Sequence, residues 1–439
     1  MQLKHIAFLT LSAVSTFAMA EGFDVVVVGS GGAGLSSAIT AKESGATVVV
    51  LEKMAYIGGN SNFASGGMNA AGTKQQLAAG VTQDSPELFY KDTMKGGHNL
   101  NNPALLKTLT ENAKYAEEWL VDLGAKFCFR KGRGGGQSIA RGHGPCDGSA
   151  VGPEILRVLT ERAVKDGIAI RTENQVVKIV MKNGAVAGVE VKTEDGVKTI
   201  DARAVVLATG GFGANQAMVT KYRPELKGFS TTNHPGALGE GIKLGEDVGA
   251  SLTDIEQIQI HPTVIKRDGH LISESMRARG AIMVNQKGER FCNELLTRDV
   301  VSQHVLKQPG GYAYLIYDQS IFDSNKLSRG YYKDGYSVKA ENLDELAQKI
   351  KVPAKTLKAT FAAYKKAYDT QKDTAFGRPE MVIALDKAPY YAAQITPGIH
   401  HTMGGLTINT KAEVQSKAGK SIPGLFAAGE VTGGVHGGN

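Results

Sequence analysis

The spacing of apolar positions changes period several times along this chain. "DVVVVGSGGAGLSSAITAKESGATVVVLE" opens with four successive valines and no polar alternation, as a strand buried on both faces requires. Small residues at helical spacing follow, then a second apolar run. This predicts a strand at Asp24–Val28, a helix at Gly31–Ser44 and a strand at Thr47–Leu51, a complete β-α-β unit. Amphipathic spacing predicts helices over 102–124 and 153–167. "VVKIVM", "VAGVEVKT" and "KTIDA" read as a meander whose hairpin turns are Asn183-Gly184 and Asp195-Gly196. It leads into "AVVLATGGFG", an apolar strand ending in glycines, and "GLFAAGEVTGG" near the C-terminus has the same form. Between these two lie strand signals ("GAIMVN", "YAYLIYD") and helical ones ("LDELAQKI", "PAKTLKATFAAYKKAYDTQ").

Composition sharpens this outline through glycine. The chain has 54 glycines in 439 residues, well above the usual ~7%. They cluster, and clustered glycine marks tight turns and close backbone approach to a ligand. Gly29-x-Gly31-x-x-Gly34 sits between the first strand and its helix, and Glu52 ends the second strand. In that context the glycines make a dinucleotide site. Gly29 permits the turn, Gly31 lets backbone meet a pyrophosphate, Gly34 lets helix and strand pack, and Glu52 takes ribose hydroxyls. The fold class is therefore α/β, with a Rossmann-like nucleotide-binding domain that is discontinuous in sequence (21–255 and 400–439). A capping α+β domain is inserted at 256–399 and makes a cleft against it.

Residues 1–20 read as a secretory signal peptide: Lys4, the apolar "IAFLTLSAVSTF", and the small-x-small pattern Ala18-Met19-Ala20. The apolar run is too short to span a bilayer, so an exported, periplasmic protein without stable membrane insertion is expected. The net charge of +7 comes from basic residues interspersed with acids. Nucleic acid is not an expected partner, and a mild positive field favours an anionic substrate. Cys128, Cys146 and Cys292 are far apart in sequence and show no disulfide framework or metal spacing; they are expected as core or pocket-lining residues. No C-x-x-C-H is present, so no haem is expected in this chain.

"GGNSNFASGGMNAA", "TNHPGALGEG", "IHPT", "RGAIMVN", "LTRD", "HHTMGG" and "AAGEVTGGVHG" occur in this order. Together they resemble the periplasmic fumarate reductases of the flavocytochrome c type, within the wider FAD-dependent fumarate reductase and succinate dehydrogenase family. The resemblance runs from about residue 22 to the end. It implies FAD contacts at Gly29, Gly31, Ala33, Gly34, Glu52, Asn60, Ser61, Gly66, Gly67, Val176, Glu240, His401 and Glu430. Asn60 stands where membrane-bound relatives carry a histidine bonded covalently to FAD, so FAD here is expected to be non-covalent. The substrate site maps onto His261, Ser273, Glu274, His400 and Gly66, with Arg298 as the proton donor and Glu274 and Arg277 returning a proton to it.

The chemistry fits these residue types. Reduction of an activated C=C needs hydride at one carbon, a proton at the next, and cationic groups for a carboxylate and developing enolate charge. Neutral arginine is scarce at ordinary pH, so a bias toward reduction over the reverse oxidation is expected. Fumarate to succinate is the first expectation, and another enoate (urocanate, methacrylate or an aryl acrylate) is the alternative. Ser273 replaces a family threonine, and Gly134 replaces a methionine near the substrate, which would admit a larger side group. A reading of another class, a non-catalytic flavin electron-transfer or binding subunit, predicts FAD without turnover. With no second dinucleotide motif, a separate c-type cytochrome is the expected electron donor. In the family "GEVTGGVHGGN" precedes a substrate-clamping arginine, a glycine turn and a helix. These 439 residues taken alone are therefore expected to bind FAD weakly and reduce nothing.

Overall fold

The computed structural model describes residues 21–439, and the expected leader at 1–20 lies outside the described residues. The strand Glu21–Val28 is central to an eight-stranded sheet. Val48–Leu51 and then Ala169–Arg171 lie on one side of it; Gly196–Leu207 and then Ser421–Ala427 lie on the other, all parallel. Glu413–Gln415 closes that edge in the antiparallel sense. Val26 and Val28 face one apolar cluster and Val27 the opposite one, which is why the valine run needs no polar alternation. The strand starts at Glu21 rather than Asp24 because Glu21, Gly22 and Phe23 already pair with Ile200, Asp201 and Ala202.

The meander follows the expected course. Gln175–Lys182 pairs with Ala185–Thr193 through the Asn183-Gly184 turn, where both residues have positive φ (52° and 78°). Ala185–Thr193 then pairs with Gly196–Leu207. The helices form at Gly32–Glu43, Pro103–Asp122 and Val151–Lys165, within a few residues of expectation. Three parallel strands end at one edge of the sheet, and each leads into glycine: Val28 to Gly29, Leu207 to Gly210, and Ala427 to Gly429. Ligands of open α/β sheets bind beyond such strand C-termini.

A second, antiparallel sheet has Tyr390–Thr402 at its centre, with Ala313–Asp318 and Val338–Ala340 on opposite edges of its first residues and Ile258–Val264 along its later ones. Ile282–Val284 pairs outside Ala313–Asp318. The helices Leu343–Ile350 and Ala354–Thr370 contribute Leu346, Ala347, Leu357 and Phe361 to its apolar cluster. Tyr390–Thr402 runs on past residue 399, so His400 and His401 lie on the strand that also carries Ile399. Its register sets His261 opposite Gly398 and Ile260 opposite Ile399.

A small three-stranded sheet joins Met68–Asn69, Gly142–Pro145 and Phe127–Phe129. Here the structure corrects the expectation for the cysteines. Cys128 and Cys146 form a disulfide, with 4.9 Å between their Cα atoms, and both lie on the surface. Pairing Phe127 with Pro145 and Cys128 with Gly144 brings together residues 18 apart, which sequence spacing alone does not reveal. Cys292 is buried as expected, and burial pushes its thiol pKa up.

Candidate active site

The strand C-termini open onto a cavity of about 1000 Å³. Its wall includes Gly29, Gly31, Ala33, Glu52, Asn60, Ser61, Val176, Glu240 and Glu430. Gly29 has φ 104°, and a Cβ there would meet the Ala208 carbonyl oxygen at 2.4 Å, so the turn is glycine-only. Helix Gly32–Glu43 begins without a side-chain cap or an acidic residue in its first turn. Ser61 Oγ accepts from Gly32 N at 2.9 Å, and the remaining first-turn N–H groups are the donors a phosphate would take. Glu52 accepts from Ser30 Oγ (2.6 Å), Ser30 N (3.1 Å) and Met54 N (2.9 Å), which fixes its carboxylate at the cavity wall. Lys53 Nζ pairs with Glu240 at 2.5 Å. Gly34 is not part of this wall. A Cβ on it would lie 1.9 Å from the Gly29 carbonyl oxygen, so its place is helix–strand packing rather than ligand contact.

Asn60, Ser61 and Glu430 also line a second cavity, of about 990 Å³, which reaches the second sheet. Gly66, Gly67, His261, Ser273, Glu274, Arg298, His400 and His401 complete its expected members. Asn60 Nδ2 donates to Asn233 Oδ1 (2.7 Å) and Glu430 Oε2 (3.1 Å), while Asn60 Oδ1 accepts from His234 N (2.7 Å). Glu430 Oε1 accepts from Thr402 N at 3.0 Å and lies 3.3 Å from His401 Nδ1. His400 shares a hydrogen bond with Thr232 Oγ1 through Nδ1 (2.7 Å). His261 Nδ1 faces Thr263, and its buried Nε2 has no partner. Burial and the nearby Arg298 charge push both imidazoles well below the ordinary histidine range, so they are neutral donors or acceptors.

Glu274 and Arg298 close the far side of this cavity. Each begins a helix (Glu274–Arg279 and Arg298–Leu306). Arg298 Nε donates to Glu274 Oε2 at 2.8 Å, and Arg298 Nη1 donates to Gln259 Oε1 at 2.7 Å. Gly135 N donates to Glu274 Oε1 at 2.5 Å. Burial raises the Glu274 carboxyl pKa, but Arg298, Arg277 and the Gly135 amide outweigh it and hold the group at about 2. Arg277 is fully buried behind Glu274, 3.5 Å from Oε2, and donates from Nη1 to the Glu294 carbonyl at 2.6 Å. Its Nε and Nη2 make no hydrogen bond, and burial lowers its pKa. Ser273 caps the Glu274 helix by accepting from Ser275 N at 3.3 Å. Gly134 lines a third cavity beyond the pair, where a Cβ on it would lie 3.8 Å from Glu274 Oε1.

The FAD binding domain family matches residues 24–439. The NADH:fumarate oxidoreductase of Klebsiella pneumoniae is 48% identical over 95% of this chain and 45% of its own length. A fumarate reductase (cytochrome) of Shewanella frigidimarina is 46% identical over 95% of this chain and 73% of its own. The chain belongs to the FAD-binding family of the fumarate reductases. The open conformation of a flavocytochrome c3 fumarate reductase superposes with TM-score 0.78 at 44% identity, over 95% of this chain and 74% of that one. This chain thus spans less than half of the Klebsiella relative and almost three quarters of the Shewanella one.

The first cavity fits the cofactor of this FAD-binding family: an uncapped helix start for the pyrophosphate and a fixed carboxylate at the second strand for ribose. Several of its residues escape motif reading. Ser30 is the variable residue of the glycine motif yet anchors Glu52, and Lys53 holds Glu240. Beyond this cavity, Gln259, outside every quoted motif, fixes Arg298, and Thr232, the first residue of "TNHPGALGEG", fixes His400. Only the glycines of "ATGGFG" carried a signal, and they bring Thr209 and Gly210 to the cavity wall. Among the described residues no helix is long and apolar enough to cross a membrane, and no cluster of metal-ligand type occurs.

Proposed function

We propose that this protein reduces the C=C bond of an α,β-unsaturated carboxylate, fumarate to succinate before any other. One observation carries the reading: the Arg298–Glu274 pair and the neutral His261 and His400 converge on a cavity that shares Asn60, Ser61 and Glu430 with the FAD-type cavity. FAD, when bound and reduced, supplies hydride. His261, Ser273 and His400 bind and orient the carboxylate, helped by the positive field of Arg298 and Arg277. Arg298 holds the proton for the neighbouring carbon. Glu274, ionised and in contact with both guanidinium groups, is placed to return one from Arg277. The two-point hold on Arg298 by Glu274 and Gln259 fixes the guanidinium plane, as near-attack geometry demands.

The finer parts of the reading are export to the periplasm, non-covalent FAD and electron supply by a separate c-type cytochrome. The amide at Asn60 supports the second, because it offers no nucleophile for a flavin bond and is already held by three partners. The glycine at 134, where a Cβ would lie 3.8 Å from Glu274 Oε1, supports a larger enoate as an alternative substrate. The test is reduced methyl viologen oxidation by FAD-loaded, full-length protein with fumarate, urocanate or methacrylate as acceptor. Fumarate-dependent oxidation is expected. FAD binding with no oxidation by any acceptor would leave only a flavin-carrying subunit.

A further inference from the structure

The amide that holds Glu274 belongs to a glycine-rich loop, 130–141, whose only apolar side chains are Ile139 and Ala140. The loop is instead tied down polar group by polar group. Arg130 donates to the carbonyls of Gly66 and Ser149 at one end. Arg141, buried at the other end, pairs with Asp84 (2.8 Å) and Asp92 (2.5 Å). Gly136 N donates to the Leu295 carbonyl at 3.1 Å between them. The loop leaves from Phe127–Phe129 and returns through Gly142–Pro145, and the Cys128–Cys146 bond ties these two strands together. Both cysteines are on the surface, within reach of a reductant, whereas Gly135 and Glu274 are half-buried. The loop tolerates little displacement: a single Cβ at Gly135 would approach the Leu296 carbonyl oxygen to 2.8 Å and Glu274 Oε1 to 3.1 Å.

We propose that the Cys128–Cys146 disulfide is a redox latch that keeps the Gly135 amide on Glu274, and so positions Glu274 against Arg298. A dithiol reductant opens it by attacking one sulfur, forming a mixed disulfide and closing to its own disulfide. Two electrons and two protons pass to Cys128 and Cys146, which leave as thiols. The strands Phe127–Phe129 and Gly142–Pro145, only three and four residues long, are then joined to each other by three paired positions, and the loop rests on these and on its polar ties. Release of Gly135 removes one of the three groups that keep Glu274 ionised and aimed, leaving Arg298 and Arg277. The catalytic consequence rests on the reductase reading; the mechanical one does not.

The test uses full-length, FAD-loaded protein before and after dithiothreitol, with thiol titration to show that the bond has opened. Hydrogen–deuterium exchange over 130–142 and methyl viologen–fumarate kinetics are read on the same samples. The expected result is faster exchange at Gly135, kcat lowered five-fold or more, KM and FAD content unchanged, and recovery of all values on reoxidation. The C128S/C146S double variant should match the reduced protein without dithiothreitol. Unchanged exchange in an opened protein overturns the latch, and faster exchange with unchanged kcat overturns its coupling to Glu274. If exchange responds but the oxidised protein turns over no enoate, the latch stands and the reductase reading falls.

Discussion

His261 and His400 meet edge-to-face, with ring centroids 5.1 Å apart, on adjacent strands of the antiparallel sheet. Neither ring has a carboxylate hydrogen-bonded to it, and both lie in the field of Arg298. Two neighbouring imidazolium ions beside a guanidinium would repel strongly, so both rings stay neutral in the folded protein. On the proposed reading, the site would take an anion through neutral imidazole hydrogen bonds and arginine charge.

This has a consequence for acid stability. In the unfolded chain these histidines titrate near 6.5, whereas the folded values are depressed. Between the two the unfolded state binds more protons. The stabilisation is thus complete above about pH 6.5 and declines as pH falls, by up to ~1.4 kcal/mol per histidine per pH unit. Glu274, held at about 2, adds a loss of the same sign below the ordinary carboxylate pKa. The Tm should fall between pH 7 and pH 5, and less steeply in a H261N/H400N variant. Equal slopes for variant and parent would show that these rings do not set the acid limit.

Arg298→Ala should abolish fumarate-dependent turnover, by roughly 10²–10⁴-fold for loss of a positioned proton donor, with FAD content unchanged. Arg298→Lys keeps the charge but cannot reach Glu274 and Gln259 at once through Nε and Nη1. It should recover little of the rate. Stopped-flow reoxidation of the reduced protein by fumarate measures this directly, since the defect lies in proton delivery and not in flavin reduction.

The β-α-β unit and the meander were legible because their signals are local: an apolar run, an X-Gly turn, a glycine motif. The register Cys128 opposite Gly144 was not, because it depends on how two short strands pair across an irregular loop. The site residues carried by ordered motifs do line the cavities, while Gly34 serves packing and Arg277 sits behind the wall. The supporting partners were hidden for a common reason. Gln259 acts on a residue 39 positions away and Thr232 on one 168 away, separations that no pattern in the sequence records.

The state of the flavin bond is open to a simple measurement. Asn60 spends its amide on Asn233, Glu430 and the His234 amide. Acid precipitation of the loaded protein should therefore release all FAD into the supernatant, with no flavin fluorescence on the denatured band. Flavin retained on the band would show a covalent link made by some other residue.

Gly34→Ala tests how tightly the cofactor helix is tied to its strand. The added methyl would lie 1.9 Å from the Gly29 carbonyl oxygen and 3.4 Å from Ala208 Cβ. Gly29 cannot retreat, since its own Cα side already abuts the Ala208 carbonyl. The helix Gly32–Glu43 must then move away from the strand, at a cost of about 1–3 kcal/mol for an overpacked contact. Its uncapped N–H groups move with it, away from where a pyrophosphate would lie. The variant should fold with a lowered Tm and lose FAD affinity by a larger factor than it loses stability. Titration of the apoprotein with FAD, compared with the denaturation midpoint without cofactor, separates the two. Loss of stability alone, with FAD affinity intact, would mean that the helix start does not carry the pyrophosphate.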